Sequence, residues 1–271
     1  MTALLRANSL LLAACLVGGC SATAPKDEVL PAPTTNSIGS LAQAMSLFKA
    51  ERYERCANLC EVMLQKRLAA RKTETLRFLE AESLYQLGDF ELALAEYRRL
   101  LEDFPFTRAH AVLPDRLYAI GCGLAENPKP LLGGVLLDRK PAIEALGFLV
   151  VNYPEHHCCN DAWLRLAGQH QAGHEWAFAE EAYRRLLARR PPKEVREKAL
   201  HALAVCLQCS TKGAAYDISP LIEARDVAEE YLKDFGDTPA APEMEALVEQ
   251  VAHEVEENGR IIEEFYRRRG N

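Results

Sequence analysis

The 271-residue sequence has few runs in which Val, Ile or Thr alternate with polar residues, the pattern that is typical of β-strands. We therefore expect almost no strand. The sequence also lacks a phosphate-binding loop, a dinucleotide-binding fingerprint and the HExxH and GxSxG motifs. We accordingly predict no catalytic residues and no cofactor, and we expect that the protein is not an enzyme.

The charge pattern lacks a basic face. The formal net charge is −7, with 32 Lys and Arg residues against 39 Asp and Glu residues. A nucleic-acid-binding surface needs clustered positive charge, so we expect no nucleic-acid partner. Acidic residues are instead concentrated between positions 220 and 264, a run that is typical of a solvated helix face.

What the sequence does contain is a helix-turn-helix pattern, which is clearest over residues 77–105. Ala81 and Ala93 are small residues that allow two amphipathic helices to approach closely, and Tyr97 follows one turn later on the same face. Gly88 suits the end of the first helix because glycine readily adopts a left-handed backbone. This is the tetratricopeptide pattern of about 34 residues, and one unit alone cannot bury its apolar face.

The same pattern recurs along most of the chain, at residues 41–63, 114–154, 163–191 and 195–231. It predicts an all-α fold, a tetratricopeptide-like solenoid of about five helical hairpins over residues 39–237. Residues 238–271 form one long helical pattern. This last segment is either a capping helix or the first helix of a truncated sixth repeat.

Residues 126–140 interrupt the third unit as an insertion that is longer than a repeat turn. Insertions in solenoids lie in loops and are often functional. The apolar residues of the insertion need burial, either against the solenoid or against a partner; they are Leu131, Leu132, Val135, Leu136 and Leu137.

The first 19 residues are predicted to be a lipoprotein signal peptide. Arg6 supplies the positive charge that precedes an apolar run, and that run is too short to span a bilayer. The run ends in the sequence LVGGC at 16–20, which matches a lipobox and makes Cys20 the predicted site of lipid attachment. Cys15 is a weaker candidate, and the alternative is an ordinary secretory signal with an incidental cysteine.

Residues 20–38 are rich in Pro, Ala and Thr and are predicted to be a flexible tether that follows the lipidated cysteine. Ser21, rather than Asp, follows the cysteine, which the lipoprotein sorting rule associates with the outer membrane. We therefore expect the folded part to lie at the periplasmic face of the outer membrane. The lipid anchor would be its only attachment to the membrane.

Nine cysteines are a high count for this length. Cys56 and Cys60 occupy inward positions of the first repeat, where a buried thiol packs as a small apolar group. The run from His156 to Cys159 is the most metal-like cluster, but the repeat register places no second ligand pair beside it. We therefore predict packing rather than a metal site, and a metal or redox protein remains the alternative.

A peptide-binding groove is predicted along the first helices of the first three repeats, since exposed aromatic and Met side chains often mark a peptide site. The apolar character fades in the fourth repeat, where Leu164, Gly168 and Gln171 take the corresponding places. In the alternative, several groove residues are buried by the tether or by adjacent helices. The predicted groove residues are Leu41, Met45, Phe48, Phe78, Glu82, Tyr85 and Tyr118.

The segments ALAEYRRLLEDFPF at 93–106 and AIEALGFLVVNYP at 142–154, together with the lipobox, resemble the BamD (YfiO) family of outer-membrane assembly lipoproteins. The resemblance covers residues 41–237. It implies a scaffold that binds subunits of the β-barrel assembly machinery and unfolded outer-membrane protein peptides, the latter through its N-terminal repeats.

The chain departs from the family pattern in the insertion at 126–140, in a CxxC at 206–209 and in its unfinished C-terminal repeat. The resemblance also implies contact with the barrel subunit through the C-terminal repeats, the part of the family pattern that these departures affect most. The alternative function is a general tetratricopeptide lipoprotein scaffold for cell-envelope or division coordination.

Overall fold

The computed structural model describes residues 40–134, 136–211 and 216–270. The predicted signal peptide, Cys20 and the tether lie outside the described residues, so the lipid anchor and the location stay predictions. Residues Gly39–Asn271 form one unit. Within the part of the chain that the structure describes, no helix is both long and apolar enough to cross a membrane.

The described residues confirm the predicted all-α solenoid of helical hairpins. Five hairpins follow one another and a single long helix completes the fold, with one short β-hairpin between the helices of the third unit. The helices are α1 Leu41–Lys49, α2 Tyr53–Leu64, α3 Ala70–Leu87, α4 Phe90–Asp103, α5 Leu113–Glu126, α6 Lys140–Asn152, α7 Cys159–Ala172, α8 Trp176–Ala188, α9 Lys193–Ser210, α10 Ser219–Phe235 and α11 Ala241–Arg269.

Each helix packs mainly against the next helix in the chain, and first helices of adjoining hairpins also touch, as α1 does α3 and α7 does α9. Such packing between sequence neighbours is what defines a solenoid, because each repeat buries its apolar face against the adjoining repeats. Small residues at the crossing points, Ala44, Ala81, Ala93, Ala167 and Ala179, have no exposed surface.

Helix α3 begins at Ala70, inside the basic run of residues 66–73. Ala70, Arg71 and Lys72 all have high intrinsic helix propensity, so they extend the helix toward its N-terminus. At the other end, Gly88 has φ 81° and its backbone N–H donates to the last turn, as predicted.

The insertion at 126–140 contains a β-hairpin that the sequence did not predict. Strands β1 Lys129–Leu131 and β2 Leu136–Asp138 pair antiparallel. The apolar side chains do not pack back on the solenoid as one expectation held: Leu132 is 77% exposed, and Leu131, Leu136 and Leu137 are also exposed. A two-stranded ribbon is too small to bury its own faces, so these side chains stay in contact with water.

Most of the cysteines within the described residues are buried, as packing side chains are. Cys56 and Cys60 have no exposed surface and belong to the core between the first two hairpins. Cys158, Cys159 and Cys206 are also buried, whereas Cys209 is exposed. No disulfide joins cysteines within the described residues.

Candidate functional site

The seven predicted groove residues lie on α1, α3 and α5, but they differ widely in exposure. Met45 is exposed, whereas Glu82 is only 4% exposed. The others, Leu41, Phe48, Phe78, Tyr85 and Tyr118, are half-buried. The groove is therefore less open than the sequence suggested, and part of its apolar surface serves the core.

The α1 part of the groove packs mostly inward. Phe48 meets the edge of the Tyr53 ring at a centroid distance of 5.4 Å. Phe48 and Leu41 both pack against the buried cluster that joins the first two hairpins. Of the predicted α1 residues, Met45 alone presents an exposed side chain.

Glu82 is the residue whose expected place in an open groove has to be corrected. Arg116 on α5 binds its carboxylate with both Nε and Nη2, at 3.0 and 3.1 Å. The Tyr97 hydroxyl donates a third hydrogen bond at 2.6 Å. A buried carboxylate needs such partners because its desolvation is otherwise costly, and here they join three helices.

Arg116 also covers the aromatic surface above this carboxylate. Its guanidinium carbon lies 4.6 Å from the centre of the Tyr85 ring, a cation–π geometry. The hydrogen bond to Glu82 raises the pKa of the Arg116 side chain above its usual value. Burial, together with Glu82, raises the pKa of Tyr97, so that hydroxyl remains a neutral donor.

A similar but more exposed cluster surrounds Tyr118. Its hydroxyl donates to Asp161 on α7, and Arg165 Nε donates to the same carboxylate at 2.6 Å. The Arg165 guanidinium carbon lies 5.8 Å from the centre of the Tyr118 ring. Partial burial opposes ionisation of Asp161, but the hydrogen bonds from Tyr118 and Arg165 outweigh it and lower the pKa.

Sequence reasoning missed both arginines. Arg165 follows Asp161 by four residues, a helical ion-pair spacing that was visible in the sequence. Arg116 follows Glu82 by about one repeat length, a separation that brings residues together only when hairpins stack. The second and third repeats therefore present aromatic rings partly covered by arginine rather than a simple apolar groove.

Phe78 lies near the middle of α3, where it lines an open cavity of about 770 Å³. Phe104, Phe106 and Val112 contribute further apolar surface to this cavity, and Arg71, Glu74 and Arg108 are the charged residues around it. Phe106 is 99% exposed. An aromatic cavity bordered by a few charged groups is typical of binding sites.

The loop that carries Phe106 is held in place by His110. One ring nitrogen of His110, Nε2, lies 2.7 Å from the Pro105 carbonyl oxygen. The other, Nδ1, lies 2.8 Å from the Tyr153 hydroxyl. These contacts tie the loop after α4 to the end of α6, so Phe106 is exposed on a positioned segment.

A second apolar surface lies where the β-hairpin meets α8. Leu131, Leu136 and Ile143 line a cavity of about 720 Å³ together with Phe178. Phe178 is 65% exposed. This surface was not among the predicted groove residues, although the apolar run of the insertion was a visible signal.

The buried thiols offer little nucleophilic chemistry. Burial raises the pKa of Cys158 to about 11, and neighbouring Asp115 adds to the shift. Burial likewise raises the pKa of Cys206 to about 11. Because the thiolate is the reactive form, these side chains are weak nucleophiles at neutral pH.

No protein-family model matches the chain. No curated protein is significantly similar to it.

Among solved structures, the chain is similar to helical-repeat proteins. One is a Podosopora anserina protein of nearly identical TPR-like repeats, which is assigned as a kinesin light chain. The two sequences are 15% identical, the match covers 73% of this chain and 94% of that chain, and the TM-score is 0.35. Another is the yeast histone chaperone Hif1, with 12% identity over 81% and 93% of the two chains and a TM-score of 0.32. The helix packing itself, rather than these scores, defines the fold.

Proposed function

We propose that this chain is a scaffold that binds extended protein segments along the first helices of its N-terminal repeats. The observation that carries the proposal is Phe106, fully exposed on a positioned loop beside the cavity that Phe78 and Phe104 line. Exposed aromatic side chains at a cavity are the usual anchors of a protein-binding surface. No reaction is needed for this role.

The cavity and the Tyr85–Arg116 pair lie on one continuous helix face. Phe78 and Tyr85 are seven residues apart on α3, which corresponds to about 10 Å along the helix axis. An extended peptide covers that distance with about three to four residues. A segment of modest length can thus contact both ends of the face at once.

In its specific form, the proposal places the scaffold at the periplasmic face of the outer membrane, where it serves the assembly of β-barrel proteins. Support comes from the predicted lipidation of Cys20 and from the family resemblance of residues 93–106 and 142–154. Unfolded barrel strands alternate apolar and polar residues. Such strands present a row of apolar side chains on one face, which suits a row of aromatic sites.

The C-terminal helix offers a separate surface for a larger partner, which we propose to be a subunit of the barrel-assembly machinery. The last buried apolar residue of α11 is Val251, and the helix continues to Arg269. Its final turns expose Ile261, Ile262, Phe265 and Tyr266. Apolar residues at this helical spacing form a stripe that suits docking against another helix or a groove.

Photocrosslinking in intact cells tests the peptide-binding proposal. A photoreactive amino acid at position 106 should crosslink to unfolded outer-membrane proteins, because this side chain projects beside the cavity. The same amino acid at position 178 is the matched control, since Phe178 is exposed but lies on another surface. Equal yields at the two positions, or capture of cell-wall synthases alone at position 106, would contradict the proposal.

Membrane fractionation tests the anchor separately. Cys20→Ser removes the thiol that carries the lipid in the predicted lipobox. The variant should leave the outer-membrane fraction, while Cys15→Ser should remain there. Retention of the Cys20 variant in the membrane would exclude lipidation at this residue, yet it would leave the peptide-binding surface untouched.

A further inference from the structure

Three side chains with metal-binding atoms meet at the junction of the third and fourth hairpins. Asp115 lies in the first turn of α5, and His156 and His157 lie in the loop between α6 and α7. One ligand atom of each residue lies within 4.8 Å of the other two. The histidine Nε2 atoms are 3.7 and 3.9 Å from Asp115 Oδ1.

These separations are close to what a shared metal ion requires. Ligand atoms at about 2.1 Å from a tetrahedral ion lie about 3.4 Å from one another. A small movement would complete the geometry, and the side chains have room for it, because those of His157 and Asp115 are 78% and 57% exposed. Two imidazoles and one carboxylate are a donor set that suits Zn²⁺ and other divalent transition metals.

The more buried histidine already points its ligand atom toward Asp115. His156 Nδ1 lies 2.9 Å from Cys158 Sγ, which leaves Nε2 directed at the carboxylate. A hydrogen bond to the second ring nitrogen is the usual way in which proteins orient a metal-ligating imidazole. The His156 backbone N–H also donates to the Tyr153 carbonyl at 3.1 Å, which positions the loop.

We propose that Asp115, His156 and His157 bind one divalent transition-metal ion of the Zn²⁺ class, with water completing its coordination. The ion links α5 to the loop before α7 and so fastens the third hairpin to the fourth. Cys158 acts as a positioning residue through His156 rather than as a ligand. This site is independent of peptide binding at Phe106. The sequence pointed to the two histidines but not to Asp115, which lies about 40 residues earlier in the chain.

Zinc titration of the purified chain without a polyhistidine tag tests the site. Calorimetry should detect one equivalent of Zn²⁺, and His156→Gln, His157→Gln and Asp115→Asn should each weaken binding by about tenfold or more. Excess Zn²⁺ should raise the melting temperature of the unsubstituted chain and of His201→Gln, and should raise that of the three variants by less. His201 is the matched control because its Nε2 pairs with Glu243, 2.9 Å away, on another surface.

Cobalt substitution gives a second readout that does not depend on stability. Co²⁺ should produce visible absorption of a nitrogen- and oxygen-ligated ion, without a thiolate-to-cobalt charge-transfer band. Cys158→Ala should weaken zinc binding, and Cys158→Ser should restore part of it. Stoichiometric binding that is unchanged in the three ligand variants, no binding at all, or a thiolate band would each overturn the proposed ligand set.

Discussion

The second hairpin, α3–α4, and the fourth, α7–α8, share one packing frame. Ala81 and Ala93 of the second hairpin correspond to Ala167 and Ala179 of the fourth, and all four lack exposed surface. The second hairpin also buries Tyr97, and the fourth buries Tyr183 at the equivalent position. The residues that hold the helices together are thus nearly interchangeable.

The two hairpins differ on the positions next to that frame. The second hairpin has Glu80, Glu82 and Tyr85 where the fourth has Leu166, Gly168 and Gln171. The former set contains buried ionisable groups and an aromatic ring beneath an arginine. One repeat frame can therefore carry either a charged, aromatic face or a neutral one, and we place peptide binding on the charged one.

Removal of Arg116, which pairs with the second hairpin, should lower the stability of the protein far more than removal of Arg165 from the fourth hairpin. Arg116→Ala leaves the Glu82 carboxylate, which is 4% exposed, without its cationic partner, and should cost about 3 kcal/mol of folding free energy. Arg165→Ala breaks a pair whose side chains are both more than one-third exposed and should cost less than about 1 kcal/mol. Urea unfolding followed by circular dichroism measures both. Equal costs would show that the buried pair has no special role.

The buried carboxylate of Glu80 should make the second hairpin sensitive to pH. Burial raises the pKa of Glu80 to about 7 from its usual value of 4.5, and the nearby Glu96 and Glu61 carboxylates add to the shift. Because the folded state then holds the proton more tightly, this group should remove up to about 3 kcal/mol of stability as pH rises from 5 to 8.

Glu80→Gln should therefore reduce the fall in unfolding free energy between pH 5 and pH 8. Glu102→Gln, at an exposed position of α4, is the control and should leave that fall unchanged. The fourth hairpin has Leu166 at the equivalent place and contributes no such dependence. A pH profile that is identical in the chain and in Glu80→Gln would disprove the assignment.

The two buried tyrosines provide a smaller test. The Tyr97 hydroxyl donates to a carboxylate, whereas the Tyr183 hydroxyl donates to the Gln171 side chain at 2.7 Å. Hydrogen bonds to charged groups contribute about twice as much as neutral ones. Tyr97→Phe should cost about 2 kcal/mol and Tyr183→Phe about 1 kcal/mol in urea unfolding. The reverse order would contradict the comparison.

The smallest difference in stability between the two hairpins is expected for substitutions of their turn glycines. Gly88 has φ 81°, so Gly88→Ala places a side chain in the left-handed region and should cost about 1 kcal/mol. Gly173 has φ −87°, because His174 adopts the positive φ in that turn. Gly173→Ala should change the unfolding free energy by less than half as much, as thermal melting would show.

The sequence predicted the frame well because the frame follows from local spacing. Ala81, Ala93 and Tyr97 recur at helical intervals, and all are buried as that spacing indicates. The β-hairpin at 129–138 was missed because its strands are only three residues long and carry no extended alternation. Short ribbons of this kind leave little trace in composition.

The candidate sites were predicted only in part, since they depend on residues that stacking brings together. Phe78 was recognised as a groove residue, but the full exposure of Phe106 depends on the course of the loop after α4. The partnership of Glu82 with Arg116 requires two adjoining hairpins. Periodicity identifies the inward face of each helix, but it does not show which neighbouring side chain covers it.

The central claim is that the surface at Phe106 binds extended segments. Its most direct test is the affinity of the chain for a labelled peptide in which apolar and polar residues alternate, as they do in a membrane β-strand. Fluorescence anisotropy should show binding that Phe106→Ser weakens about tenfold or more, since an exposed anchor is lost without harm to the fold. Phe178→Ser should leave the affinity unchanged. Equal affinity for the chain and Phe106→Ser would contradict the proposal that this surface binds extended segments.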